Sequence, residues 1–252
     1  MIRIRALACL ALIPALAPAA TDLPLARLLL PRSAQFAGCE GEIRKVPIDP
    51  EPIGYSGPRF DRFDIHLDSL DEIDRNRVRA WGKTRFHGSV CSFEGTFQRT
   101  HVQVAEANTR IEGIFQRNVV RVDLKETGCP APGRIDGELV GWSFALPGGK
   151  VTFATDLGIE ECARGIKGNQ FTGTWKALKG KSLRKVRWGW RRPPEAEGLD
   201  CGTEEFFPCA RVVDSSWSDY TVARNCRPDD TAAACARARL RESWWKDSTA
   251  VR

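Results

Sequence analysis

The amino-acid sequence predicts a mainly β protein: an antiparallel meander forming a barrel or a curved sandwich, followed by a small disulfide-rich C-terminal extension with one helix. Three observations carry that expectation. Runs of alternating polarity, the signature of half-buried strands, fill residues 60–192. Within them a phrase recurs in which a central glycine is flanked at two residues' distance by apolar side chains: Phe93-Glu-Gly95-Thr-Phe97, Ile111-Glu-Gly113-Ile-Phe115, Ile135-Asp-Gly137-Glu-Leu139 and Phe171-Thr-Gly173-Thr-Trp175. Finally, four cysteines crowd the last 52 residues, beyond the proline-bearing linker 193–200.

The chain has 252 residues, 42% hydrophobic and 28% charged, which suits one folded domain with an appendage and argues against disorder. Residues 1–20 read as a signal peptide. Arg3 and Arg5 form the positive end, Ala6 to Leu16 the apolar stretch, and Ala17-Pro-Ala19-Ala20 the small-residue cleavage site. Cys9 stands too early in that stretch for a lipoprotein cysteine. No later segment reaches 18 uncharged apolar residues, so a membrane-spanning protein is not expected. A periplasmic or secreted protein is.

Removing residues 1–20 takes away two arginines, lowering the formal charge from +6 to +4. Eight cysteines remain: Cys39, Cys91, Cys129, Cys162, Cys201, Cys209, Cys226 and Cys235. An even count in an exported chain points to four disulfides. The closest pairs, Cys201/Cys209 and Cys226/Cys235, are natural local partners but too widely spaced for a thiolate metal site. No metal and no cofactor is expected.

Residues 21–59 read as an N-terminal arm and loop. Leu23 to Pro31 is an apolar lead-in that either docks or stays free, and Cys39 ties the region to the body. Glu42 to Ile48 is a weak strand, and the prolines and glycines between Val46 and Arg59 predict an irregular loop. In Phe63-Asp-Ile-His-Leu-Asp68, alternation puts Phe63, Ile65 and Leu67 on one face and Asp64, His66 and Asp68 on the other. Carboxylates flanking a histidine can support proton transfer or hold a cation, making these three the candidate catalytic residues. The plainer reading is the wet face of a strand. Six acidic residues between Asp61 and Asp74 precede five basic ones between Arg75 and His87, an arrangement suited to cross-strand pairing.

The phrase glycines lie 18, 24 and 36 residues apart, which predicts a hairpin period near 18, strands of six or seven residues, and eight to ten strands between Arg77 and Arg192. Val120, Val122 and Leu124 share one strand face, and Phe144 to Phe153 turns at Pro147-Gly-Gly149 as a hairpin. Glycine weakens a strand, so its recurrence predicts a bend, a close approach, or room for a neighbouring ring. Gly173-Thr-Trp175 resembles the strands of lipocalin-type small barrels; the resemblance covers these three residues and carries no function across.

Eight basic and no acidic residues follow between Trp175 and Arg192. Alternation sets Val186, Trp188 and Trp190 against Lys185, Arg187 and Arg191. Lys185, Arg187, Trp188, Trp190 and Arg191 are therefore the candidate ligand-binding residues, suited to anionic lipid, lipopolysaccharide phosphate, acidic glycan or an acidic protein patch. The competing reading is a closing strand whose tryptophans fill the core. Nucleic acid fits the charge but not an exported chain. In the extension, residues 201–252, Asp229 and Asp230 can cap a helix from Thr231 to about Trp245, with Ala233, Ala236, Leu240 and Trp244 along one stripe. A segment this short needs disulfides or docking to hold together.

Nothing matches G-x-S-x-G, H-E-x-x-H or an EF-hand loop; Gly180-Lys-Ser182 lacks the rest of a phosphate loop, and Ser182-Leu-Arg-Lys185 lacks its β-lactamase companions. The leading expectation is a non-catalytic exported binding protein for an anionic envelope component. The alternatives are an envelope hydrolase acting near His66 and a structural or inhibitory envelope protein.

Overall fold

The computed structural model describes residues 24–29, 34–37, 43–46, 51–105, 114–145, 151–153, 169–190, 192–203, 206–212, 216–227 and 229–246. The expected signal peptide, Cys39, Cys162, Gly113 and Arg191 lie outside them. In chain order the elements are α1 (Leu25–Leu29), β1 (Ala34–Ala37), β2 (Ile43–Val46), β3 (Ile53–Ser56), β4 (Asp61–Asp74), β5 (Arg77–Phe86), β6 (Ser89–Ala105), β7 (Ile114–Thr127), β8 (Gly133–Ala145), β9 (Val151–Phe153), β10 (Gln170–Ala177), β11 (Leu183–Gly189), α2 (Ser218–Asn225) and α3 (Ala233–Glu242).

Strands β3 to β8 follow one another as antiparallel neighbours. β10 then pairs with β8 on one side and β11 on the other, and β11 pairs with β3. The result is an eight-stranded antiparallel ring. Closure removes the sheet edges that an open meander would expose. β9 adds a short hairpin to the end of β8, and β1 pairs with β2 in a separate ribbon.

Alternation decides what fills the ring. Phe63, Ile65 and Leu67 from β4, Val120, Val122 and Leu124 from β7, and Val186 and Trp188 from β11 all belong to one buried cluster. The lead-in helix α1 docks into this cluster, burying Leu25, Leu28 and Leu29. Its position is fixed by Asn169 Nδ2, which donates to the Leu28 carbonyl at 2.8 Å. The opposite charges of β4 and β5 meet across the strand pair, Arg85 on Asp64 and Arg77 on Asp74.

Three expectations need correction. Residues 53–56 are a barrel strand rather than irregular loop, because the prolines flank it instead of interrupting it and Gly54 lies against Trp188. Between Arg77 and Arg192 the described residues form seven strands, and residues 106–113, 146–150 and 154–168 lie outside them. β6, β7 and β8 run 17, 14 and 13 residues, so the 18-residue period does not mark hairpins of six- or seven-residue strands. The stripe expected on the C-terminal helix is met only in part: Trp244 is buried, but Ala233 and Ala236 are exposed, and Cys235, tied to Cys226, and Ala238 are buried instead.

The phrase glycines do provide close approach. Gly137 and Gly173 stand opposite one another in the β8–β10 register, and the Phe171 ring lies across both. A Cβ on Gly137 would fall 2.7 Å from that ring, closer than real side chains tolerate. Gly137→Ala is therefore expected to destabilise the barrel by about 1–3 kcal/mol, the usual range for overpacking, as a lower urea midpoint at unchanged slope.

The extension covers the outer side of β3 and β4. Ile53 and Tyr55 pack there with Leu199, Phe206, Trp217 and Tyr220. The Tyr55 hydroxyl donates to the carbonyls of Pro194 and Glu195, at 3.0 and 2.7 Å. Burial pushes its pKa up to about 12. Cys201–Cys209 and Cys226–Cys235 cross-link the extension, and Cys91–Cys129 ties β6 to the β7–β8 loop. These three disulfides accord with an oxidising, non-cytoplasmic setting. Among the described residues no helix is long and apolar enough to cross a membrane.

Candidate functional site

Asp64, His66 and Asp68 point outward from β4, as alternation requires, but they do not form one constellation. Asp64 is buried between two arginines. Arg62 Nε donates to one of its oxygens at 2.8 Å, and Arg85 Nε to the other at 2.8 Å. Arg62 also holds Glu242 of α3 with two bonds of 2.5 and 2.6 Å and lies over the rings of Trp217 and Tyr220. Burial pulls the Arg62 pKa down, yet Asp64 and Glu242 more than offset this and hold it above the ordinary arginine value. This is the seam between barrel and extension.

His66 meets different carboxylates. Its Nδ1 lies 2.7 Å from Glu51 Oε1, and its Nε2 lies 3.2 Å from Asp68 Oδ1. Trp245 stacks on the imidazole at 4.9 Å, leaving the side chain 16% exposed. Lys83 Nζ donates to the Trp245 carbonyl at 2.8 Å and helps hold that cover in place. Glu51 completes the histidine's surroundings, yet its distance in sequence left it unmarked.

Trp188 on β11 and Trp190 just beyond its end face the interior and are buried, at 1% and 3% exposure. Trp188 stacks on Phe171 at 4.7 Å, and Trp190 meets it edge-on at 5.6 Å. Arg187 is buried as well. It pairs with Glu195 at 2.9 Å and donates to the Gly173 and Val186 carbonyls. Lys185 is exposed. The strand's aromatic and cationic residues thus do not share one accessible face.

Accessible cationic chemistry gathers at one end of the ring, where the β10–β11 turn, the β3–β4 turn and the β7–β8 loop meet. Lys176, Lys179, Lys181 and Lys185 are exposed there, and none forms an ion pair among the described residues. Leu178 and Leu183 stand among them at 44% and 65% exposure. An open groove of about 490 Å³ runs alongside, with Phe60, Pro58 and Leu183 on its walls.

Inside this mouth lies a smaller cavity of about 80 Å³, lined by Ser56, Phe63, Phe86, Trp175, Arg184 and Val186 among others. The Arg184 guanidinium sits between the rings of Phe86 and Trp175, 4.3 and 4.2 Å from their centroids. Burial lowers its pKa from the ordinary arginine value. Glu126, on the cavity wall and 3% exposed, accepts hydrogen bonds from Thr84 Oγ1 at 2.5 Å, Trp175 Nε1 at 2.7 Å and the Gly133 amide at 2.8 Å. Three donors compensate that charge. The signal for Glu126 was present in sequence: it follows Val120, Val122 and Leu124 in strict alternation, a carboxylate where the pattern calls for an apolar residue.

A wider cleft of about 730 Å³ opens at the seam, where Arg59, His87 and Arg211 face Asp61 and Asp219. Its charges are mixed, and Asp219 is already paired with Arg241 at 2.9 Å. The described residues place Cys226, Cys235 and Asp230 close enough for a metal, but the two thiols are joined in a disulfide and offer no thiolate. No protein-family model, no curated protein and no solved structure matches the chain.

Proposed function

We propose that the protein is an exported, non-catalytic binding protein that docks on an anionic lipid surface of the cell envelope through the mouth of its barrel. The observation carrying this reading is the β10–β11 hairpin, where four exposed lysines with no ion pair among the described residues surround two exposed leucines. Each lysine near an anionic surface contributes about 1 kcal/mol, and this attraction is screened by salt. The leucines add apolar burial on contact, worth at most about 1.5–3 kcal/mol each. Lysine is strongly hydrated, so the pattern suits a wet, charged interface better than a dry protein contact.

The test is retention on vesicles of phosphatidylglycerol in phosphatidylcholine. Binding is expected at low salt, falling steeply as salt rises, and absent from pure phosphatidylcholine. Leu178→Ser with Leu183→Ser is expected to weaken it about tenfold or more, without a change in thermal stability. Equal retention on neutral vesicles would reject the reading.

A hydrolase acting at His66 is the second reading, supported by the two carboxylates in reach of the ring. It would require Trp245 to move off the imidazole, because the stacked indole covers the face that a substrate would approach. Trp245→Ala should then create or raise hydrolytic activity that His66→Ala removes. A structural or inhibitory envelope role would leave both vesicle retention and hydrolysis absent.

A further inference from the structure

We propose that the cavity beneath Arg184 binds a small organic anion, a carboxylate bearing an apolar arm of about one carbon. The inference rests on reading the mouth as the anion-binding end, and it assigns the chemistry of what enters there.

Two uncommitted polar groups face this cavity. Ser56 is 1% exposed, and its Oγ has no hydrogen-bond partner among the described residues. A buried hydroxyl left unpaired is costly, and few native side chains are left so. Arg184 is the other. Its guanidinium makes no hydrogen bond or ion pair among the described residues, although it carries five donors. Ser56 pairs with Val186 in the β3–β11 register, and Arg184 lies two residues from Val186 on the same inward face. Hydroxyl and guanidinium are therefore diagonal neighbours on one wall. A carboxylate placed between them would receive a charge-assisted fork from Arg184 and a single bond from Ser56.

The remaining lining sets the rest of the ligand. Phe63, Phe86, Trp175 and Val186 offer apolar surface. At roughly 30 Å³ for each water-sized group, 80 Å³ holds about three such groups in all, enough for a carboxylate with a methyl arm and too little for a ring or a long chain. Glu126, the carboxylate on this wall, has its oxygens taken by Thr84, Trp175 and Gly133, so it makes no direct bond to Arg184 and the guanidinium donors stay open to an incoming anion, although the charges of Glu126 and Asp61 act on Arg184 as well.

Calorimetric titration of the full chain with acetate, butyrate, hexanoate and octanoate tests this without any variant. Acetate is expected to bind saturably and most tightly, and ethanol at least tenfold more weakly. Arg184→Gln should weaken acetate at least tenfold, and Ser56→Ala severalfold, in proteins whose melting is unchanged. Absence of saturable binding would overturn the proposal, as would affinity that climbs steadily to octanoate or equal binding of ethanol. The vesicle assay separates the two claims. Vesicle retention without carboxylate binding removes the cavity and leaves the surface reading intact. Acetate binding without vesicle retention upholds the cavity and removes the membrane.

Discussion

Arg62→Ala is expected to lower the unfolding free energy by about 3–5 kcal/mol, the usual cost of removing one partner from a buried ion pair. Arg62 has a side chain 10% exposed, and its three guanidinium bonds reach Asp64 of β4 and both oxygens of Glu242 in α3. Without it, two carboxylates face each other across the seam with Arg85 alone to hold Asp64. The extension should loosen first, so proteolysis between α2 and α3 should speed up before the barrel melts. Replacing both sides, Arg62→Met with Glu242→Leu, is expected to cost less than Arg62→Ala, because no charge is then left buried without its partner. A loss below about 1 kcal/mol for Arg62→Ala would show that the seam is held by its aromatic packing instead, within the usual range for exposed ion pairs.

Trp188→Ala carries an effect of similar size, about 3–5 kcal/mol, from lost transfer energy and the void left beside Phe171. A tryptophan displayed for a ligand would cost almost nothing in stability, so urea denaturation distinguishes the two roles outright. Trp188→Phe is expected to cost less than Trp188→Ala, because a ring still stacks on Phe171 and the indole Nε1 has no hydrogen-bond partner among the described residues to lose.

Much of the barrel was legible because strand periodicity reports which side faces inward. Phe63, Ile65 and Leu67 were separable from Asp64, His66 and Asp68 by alternation alone, as were Val186, Trp188 and Trp190 from their basic neighbours. Alternation cannot say what lies against the outward face. Asp64 looked solvated and is buried, because Arg62, Arg85 and an extension more than 150 residues away close over it. The same blindness hid β3, a four-residue strand whose prolines mark its ends, and α2, whose helix lacks a side-chain cap and is held by Trp217 and Tyr220 packing on β3. Ring closure through β3 depends on those contacts between distant segments, which no local pattern encodes. At the mouth the lysine run was visible, but that none of these lysines forms an ion pair among the described residues is a property of the folded surface.

The most direct measurement compares vesicle retention of two double variants with equal net charge. Lys179→Gln with Lys181→Gln removes two cations from the barrel mouth. Arg211→Gln with Arg237→Gln removes two from exposed positions on the extension. At about 1 kcal/mol per cation near an anionic surface, the first pair should weaken retention by more than tenfold while the second leaves it within about twofold. Equal losses from both pairs would contradict the account, reducing the interaction to net charge with no binding face at the mouth.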